Sequence, residues 1–140
     1  MTTADMDEIM AIERSAYRFP WSQRFFLQEL QVPCARSILA EIDGCIAGYV
    51  LFWLLPGYID IHNVAVHVNF RRRGIARLLL RQVLIQAKAQ SVTRVTLEVR
   101  KSNLAAKKLY ESIGFLMTGI RQGYYSDNGE DALTMSLKLL

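Results

Sequence analysis

A chain of 140 residues has room for one hydrophobic core, since domains typically hold about 100 to 150 residues, so residues 1–140 are expected to form a single domain. With 51% hydrophobic and 21% charged residues, the composition lies far from that of disordered chains. The net charge of +4 points to an anionic partner, and the distribution of basic residues has to separate nucleic acid from a phosphate-bearing small molecule.

In chain order, Met1 to Glu8 carries two Asp and one Glu where a secretory leader would be basic. Thr3 reads as a helix N-cap, and Met6, Ile9, Met10, Ile12, Ala16 and Tyr17 recur at helical spacing, predicting a helix over 4–16. Phe19-Pro20-Trp21 breaks it; Ser22 then caps a second short helix through Leu30, which Pro33 ends. Ser37 to Ile42 and Cys45 to Leu54 are apolar, β-branched runs joined by Asp43-Gly44, the signature of a tight hairpin. The longest uncharged stretch, Cys45 to Ile59, contains Pro56-Gly57 and falls short of the roughly 20 residues that span a bilayer, so no membrane partner is expected. Tyr58 to Val66 reads as a third strand. Cys34 and Cys45 fit no metal-ligand or CxxC spacing and read as buried or semi-buried thiols in a reducing compartment, which together with the acidic start predicts a cytoplasmic protein without a metal.

From Gly74 to about Gln90, Ile75, Leu79, Val83 and Ala87 share one stripe of a helix while Arg77, Arg81 and Lys88 lie elsewhere. Residues 94–99 alternate, with Val95, Leu97 and Val99 on one face and Thr96, Glu98 and Arg100 on the other. Asn103 opens a helix through Ile113 that Gly114 closes, and two final strands flank Asp127-Asn128-Gly129. This order, with one strand-helix-strand unit in its middle, predicts an α/β (α+β) fold: a mixed sheet with helices on its faces.

The sharpest local signal is Arg71-Arg72-Arg73-Gly74-Ile75-Ala76, between a strand end and a helix start. Gly74 and Ala76 let a ligand approach the backbone, and the unpaired N–H groups and dipole of a helix start attract phosphate oxygens. Standing alone, the segment is equally what a solvated basic loop looks like. A nucleic-acid patch fits less well, because the other basic residues are spread over both long helices and no aromatic side chains interleave with the arginine run.

Asn63-Val64-Ala65-Val66, Arg71 to Ala76, Leu97-Glu98-Val99-Arg100, Asn103 and Leu109-Tyr110-Glu111-Ser112-Ile113-Gly114-Phe115, taken in order, resemble the Gcn5-related N-acetyltransferase (GNAT) superfamily over nearly the whole chain. The resemblance implies a mostly antiparallel sheet of about six to seven strands with helices on both faces and acetyl-CoA as cosubstrate. It is most specific to the bacterial branch that acetylates the N-terminal alanine of a ribosomal protein, carried by Phe19-Pro20-Trp21-Ser22 and by Arg121-x-x-Tyr124-Tyr125 followed by Glu130-Asp131-Ala132.

Carried over residue by residue, the resemblance makes Glu98 the general base and Tyr110 the general acid. An α-amino group has a pKa of about 7.7 to 8.0, so a carboxylate has a proton to remove near neutrality, and a phenol can donate to a departing thiolate. Without the neighbouring motifs, Glu98 reads as a solvated residue on a strand's polar face and Tyr110 as a core aromatic. Backbone groups of Val64, Ala65 and Val66 are implied to hold the pantetheine arm, and Arg71, Arg72, Arg73, Gly74, Ile75, Ala76, Arg77 and Asn103 to bind the cofactor. Asn103 serves equally as a helix cap. Phe19, Pro20, Trp21, Tyr124 and Tyr125 are implied as walls of the acceptor groove, or else as a hydrophobic staple and a strand-end cluster. His62 and His67 carry no assigned role, and His67-Val68-Asn69, where relatives often have Asp-Pro, predicts a differently shaped phosphate loop. The implied acceptor is a protein N-terminus, with a small amine, a lysine side chain or non-catalytic binding as alternatives; the expected state is a monomer or weak dimer.

Overall fold

The computed structural model describes residues 1–139. The mixed α/β fold predicted from the sequence is the one observed. Helix α1 (Met6–Ala16) follows a single 3-10 turn, Thr3–Asp5, and α2 is Gln23–Glu29. Strands β1 (Ala35–Ile42), β2 (Cys45–Leu55) and β3 (Tyr58–Val66) come next. They are followed by α3 (Ile75–Ala89), β4 (Arg94–Arg100), α4 (Leu104–Ile113), β5 (Leu116–Arg121) and β6 (Ala132–Lys138). The six strands order as β1-β2-β3-β4-β6-β5, and every neighbouring pair is antiparallel except β3 and β4.

Local chemistry accounts for the boundaries. Asp43 (φ 51°) and Gly44 (φ 80°) both take the left-handed conformation that a two-residue hairpin requires. The Ser22 hydroxyl accepts from Phe25 N at 3.2 Å and starts α2 as expected. Thr3 does not cap α1. Instead the Asp5 carboxylate reaches back to accept from Thr2 N at 2.7 Å, which tightens the start into a 3-10 turn and shifts the helix to Met6. The last two strands flank 127–129 only from a distance, because residues 122–131 bond within their own loop and to the turn after β4: Gly129 N donates to the Tyr125 carbonyl, Tyr125 N to the Glu130 carbonyl, Gly123 N to the Asp131 carboxylate and Ser102 N to that of Glu130.

The sheet has two apolar faces. Ile75, Leu79, Leu80, Val83 and Ala87 of α3 pack with Phe52, Ile59, Ile61 and Leu97, and α4 adds Tyr110 to this layer. On the opposite face Met6, Ile9, Met10 and Ile12 of α1 and Phe26 of α2 cover Tyr49, Leu51 and Ala65. Each fully buried aliphatic side chain contributes about 1.5 to 3 kcal/mol, so these layers hold the helices where the site needs them. Among the described residues no helix is long and apolar enough to cross a membrane.

Candidate active site

The site begins where two strands part. β3 and β4 pair from Tyr58↔Arg94 to Ile61↔Leu97 and no further, although β3 runs on to Val66 and β4 to Arg100. A bulge in β3 inserts His62 between Ile61 and Asn63, which turns the rest of the strand. Beyond it the edge of Val64, Ala65 and Val66 that would face β4 has no strand partner, and such an edge can take up an extended ligand. The Tyr17 hydroxyl donates to the Val64 carbonyl across this opening.

On one side of the opening lies a groove of about 510 Å³ lined by Val64 to Val66, Arg71, Arg72, Gly74, Ala76 and Arg77, with Ala105, Ala106 and Tyr110 of α4 opposite. Gly74 (φ 72°) and Arg72 (φ 65°) are left-handed, and a Cβ on Gly74 would meet nothing within 4 Å, so the chain is tightly turned yet open to a ligand. The first inter-turn bond of α3 is Leu78 N to the Gly74 carbonyl, which leaves the N–H groups of Ile75, Ala76 and Arg77 without helix partners. Those donors, the positive end of α3 and the Arg71, Arg72 and Arg77 side chains together suit a diphosphate. Arg77 is steadied by a 2.9 Å bond to Ser112 Oγ. Arg73 is not brought into the groove; its guanidinium stacks over Phe70, 5.4 Å from the ring centre. The His67-Val68-Asn69 departure is accommodated by a 3-10 turn over Val68–Phe70, with His67 Nδ1 accepting from Asn69 N at 3.1 Å.

A narrow cavity of about 130 Å³ joins this groove to the other face of the sheet, and Glu98, Asn103, Tyr110 and Tyr125 line it. Asn103 Oδ1 accepts from Ala106 N at 3.2 Å, so Asn103 caps α4 and lines both spaces. Tyr110 is buried against Phe115, and burial, with Tyr125 nearby, pushes its phenol up to about 12. It therefore keeps its proton at neutral pH. Glu98 Oε1 lies 3.1 Å from Arg121 Nε. Burial and the adjacent Glu98 carboxylate hold the Tyr124 phenol above its usual value.

The opposite groove, about 590 Å³, is walled by Phe19, Trp21, Phe25, Trp53, Tyr124 and Tyr125 and carries the carboxylates Glu29, Asp60, Glu98 and Asp127. Trp21 stacks on Phe25 at 4.6 Å, and Tyr124 meets Tyr125 edge-on at 5.1 Å. Pro20 is exposed and lies outside this wall. Arg100 ties the two walls together: its guanidinium lies 5.2 Å from the Phe19 ring centre and 3.9 Å from that of Tyr125, and it bonds both carboxylate oxygens of Asp127.

Sequence reasoning missed Glu13, which is fully buried and lines the narrow cavity. Its carboxylate accepts from Trp21 N at 2.7 Å, from Asn63 Nδ2 at 2.9 Å and from the Tyr49 hydroxyl. The signal was available: Glu13 stands seven residues after Met6 and three before Ala16, inside the apolar stripe of α1, where an unpaired charge would be prohibitively costly. Tyr17 and His62 also line the cavity; the sequence places Tyr17 only in a core stripe and assigns His62 no role. Among the described residues no group of three or more His, Cys, Asp or Glu could hold a metal.

A parallel strand pair that opens over a basic helix start, with a through-passage to an aromatic groove on the far face, is the arrangement that the resemblance to acetyltransferases implied. The model of the acetyltransferase (GNAT) family matches residues 6–115, and the chain belongs to that family. It is 33% identical to the ribosomal protein bS18-alanine N-acetyltransferase of Salmonella typhimurium, over 99% of this chain and 95% of the relative. It is 35% identical to the N-alpha-acetyltransferase RimI of Mycobacterium tuberculosis, over 96% and 87%. The crystal structure of the ribosomal-protein-S18-alanine N-acetyltransferase from Escherichia coli superposes with a TM-score of 0.90 at 33% identity, covering 99% of this chain and 90% of that one.

Proposed function

We propose that the protein is an acetyl-CoA-dependent Nα-acetyltransferase that modifies a protein N-terminus, of the kind that the N-terminal alanine of ribosomal protein bS18 presents to its relatives, by direct transfer with both substrates bound. The observation that carries this reading is the passage at Glu98 and Tyr110, which joins a groove with anion-binding donors to a groove with aromatic walls and carboxylates. A ribosomal acceptor places the reaction in the cytoplasm.

The donor is held by backbone groups of Val64, Ala65 and Val66 along its pantetheine arm and by the Arg71, Arg72 and Arg77 side chains and the N–H groups of Ile75, Ala76 and Arg77 at its diphosphate, with Asn103 beside the arm. Bound acetyl-CoA supplies the thioester carbonyl that an amine attacks. Phe19, Trp21, Tyr124 and Tyr125 confine the extended acceptor, while the carboxylates of the groove favour an ammonium group over an anion. Glu98 removes a proton from the attacking nitrogen, and Tyr110, still protonated at working pH, donates to the departing sulfur.

Incubating the protein with acetyl-CoA and peptides bearing free or blocked N-termini, followed by mass spectrometry, tests the reading. Acetyl should appear on the α-nitrogen of free-ended peptides only. Labelling confined to small amines or lysine side chains would overturn it.

A further inference from the structure

An N-terminus enters the site mostly as an ammonium ion at neutral pH, because its pKa is about 7.7 to 8.0. Its nitrogen has to lose one proton before it can attack and another as the N–C bond forms. Glu98 accounts for one, and its carboxylate is already ion-paired with Arg121, Oε1 lying 3.1 Å from Nε.

A second base stands on the same route. The bulge in β3 gives His62 its extra position, and the imidazole lines both the aromatic groove and the narrow cavity that holds Glu98. His62 Nε2 lies 3.1 Å from Asp60 Oδ2, and Asp60 Oδ1 in turn accepts from Thr96 Oγ1 at 3.1 Å. A carboxylate only accepts, so in the neutral ring Nε2 carries the hydrogen and Nδ1 keeps its lone pair. Among the described residues none bonds to Nδ1, and no buried side-chain nitrogen lacks a partner, so Nδ1 opens onto solvent-accessible space. The ring is fixed from behind by Trp53 at 4.4 Å, whose indole donates to Glu29 at 2.8 Å. Around it stand Asp60 of β3, Glu29 of α2, Glu98 and Arg100 of β4, and Tyr124, Tyr125 and Asp127 of the 122–131 loop; the carboxylates among them favour an arriving ammonium.

We infer that His62, oriented by Asp60, takes the first proton from the incoming ammonium, leaving the second to Glu98. This deepens the Nα-acetyltransferase reading and rests on it. The first proton passes from the acceptor nitrogen to Nδ1, and the imidazolium releases it to solvent through the aromatic groove. The neutral amine then forms its bond to the acetyl carbon, and Glu98 takes the proton that leaves nitrogen. Tyr110 gives its proton to sulfur as the C–S bond breaks and recovers one from Glu98. One proton is released per acetyl group transferred, as the overall reaction requires.

The test is kcat/KM for a free-ended peptide between about pH 6 and pH 9.5, measured for the wild type, His62→Gln and His62→Phe, the last keeping an aromatic ring against Trp53. Both variants should lose about 10- to 100-fold near pH 6.5 and recover to within about threefold of the wild type near pH 9, where the amine arrives already neutral. KM for acetyl-CoA should not move. Glu98→Gln should lose activity across the whole range, since its proton is removed whatever the starting state of the amine. A deficit in the His62 variants that is equal at all pH values, as a packing defect would give, or no deficit near pH 6.5, would overturn the assignment. Wild-type protein that binds acetyl-CoA but acetylates no N-terminus would instead remove the broader reading, and this inference with it.

Discussion

Tyr110 holds its proton at neutral pH because α4 carries it into the layer beneath the sheet, where ionisation is disfavoured by burial. Tyr110→Phe keeps the ring and removes the donor, so kcat should fall about 100-fold while acetyl-CoA affinity, measured by calorimetry, is retained. The same burial has a consequence for stability. Tyr110 and Tyr125 are pushed up to about 12, above the value of about 10 expected in the unfolded chain, so the folded state holds these protons more tightly. Their contribution is fully present below about pH 10 and is lost as pH rises through about 12. Melting temperatures followed by circular dichroism should therefore be insensitive to these groups up to about pH 9.5 and fall beyond it, less steeply in Tyr110→Phe. Glu13 is a different case: it is a buried acceptor for three donors, and Glu13→Ala leaves Trp21 N and the Tyr49 hydroxyl proton without an acceptor and the Asn63 amide with only the Tyr49 oxygen, at a cost of about 3 to 5 kcal/mol, read as a lower denaturation midpoint.

At the scale of strands and helices, period and punctuation made most of the fold legible. β3 is found over the residues its β-branched run marked out, and α3 buries the stripe Ile75, Leu79, Val83 and Ala87 read from its spacing. The site was legible where a motif has a local cause, as at Gly74, whose left-handed backbone a ligand-binding turn needs. It was illegible where the cause is a distant contact. Nothing near His62 in sequence announces a bulge that depends on pairing with β2. Gly48 is another such position: it lies opposite Val66, and a Cβ there would stand 2.8 Å from the Ala65 carbonyl oxygen and 3.3 Å from Ile75. Gly48→Ala should push β3 towards the cofactor groove, costing about 1 to 3 kcal/mol in thermal unfolding and raising KM for acetyl-CoA more than KM for the peptide.

For the molecule as a whole, charge is divided between the two faces, with arginines on one groove and carboxylates on the other. A ligand that binds only the folded state should stabilise it by about 2.7 kcal/mol at a hundredfold excess over Kd, so coenzyme A should raise the melting temperature by several degrees, and added salt should weaken that effect. The strand order has a further consequence, for biosynthesis. β6 lies between β4 and β5, so a strand made after both of its neighbours is an interior one. Until residues 132–138 have left the ribosome, β4 presents a bare edge and β5 has nothing to join. Folding to the native topology must then wait for residues 132–138, and a nascent chain halted at residue 131 should be open to proteases and chaperones that ignore the folded protein.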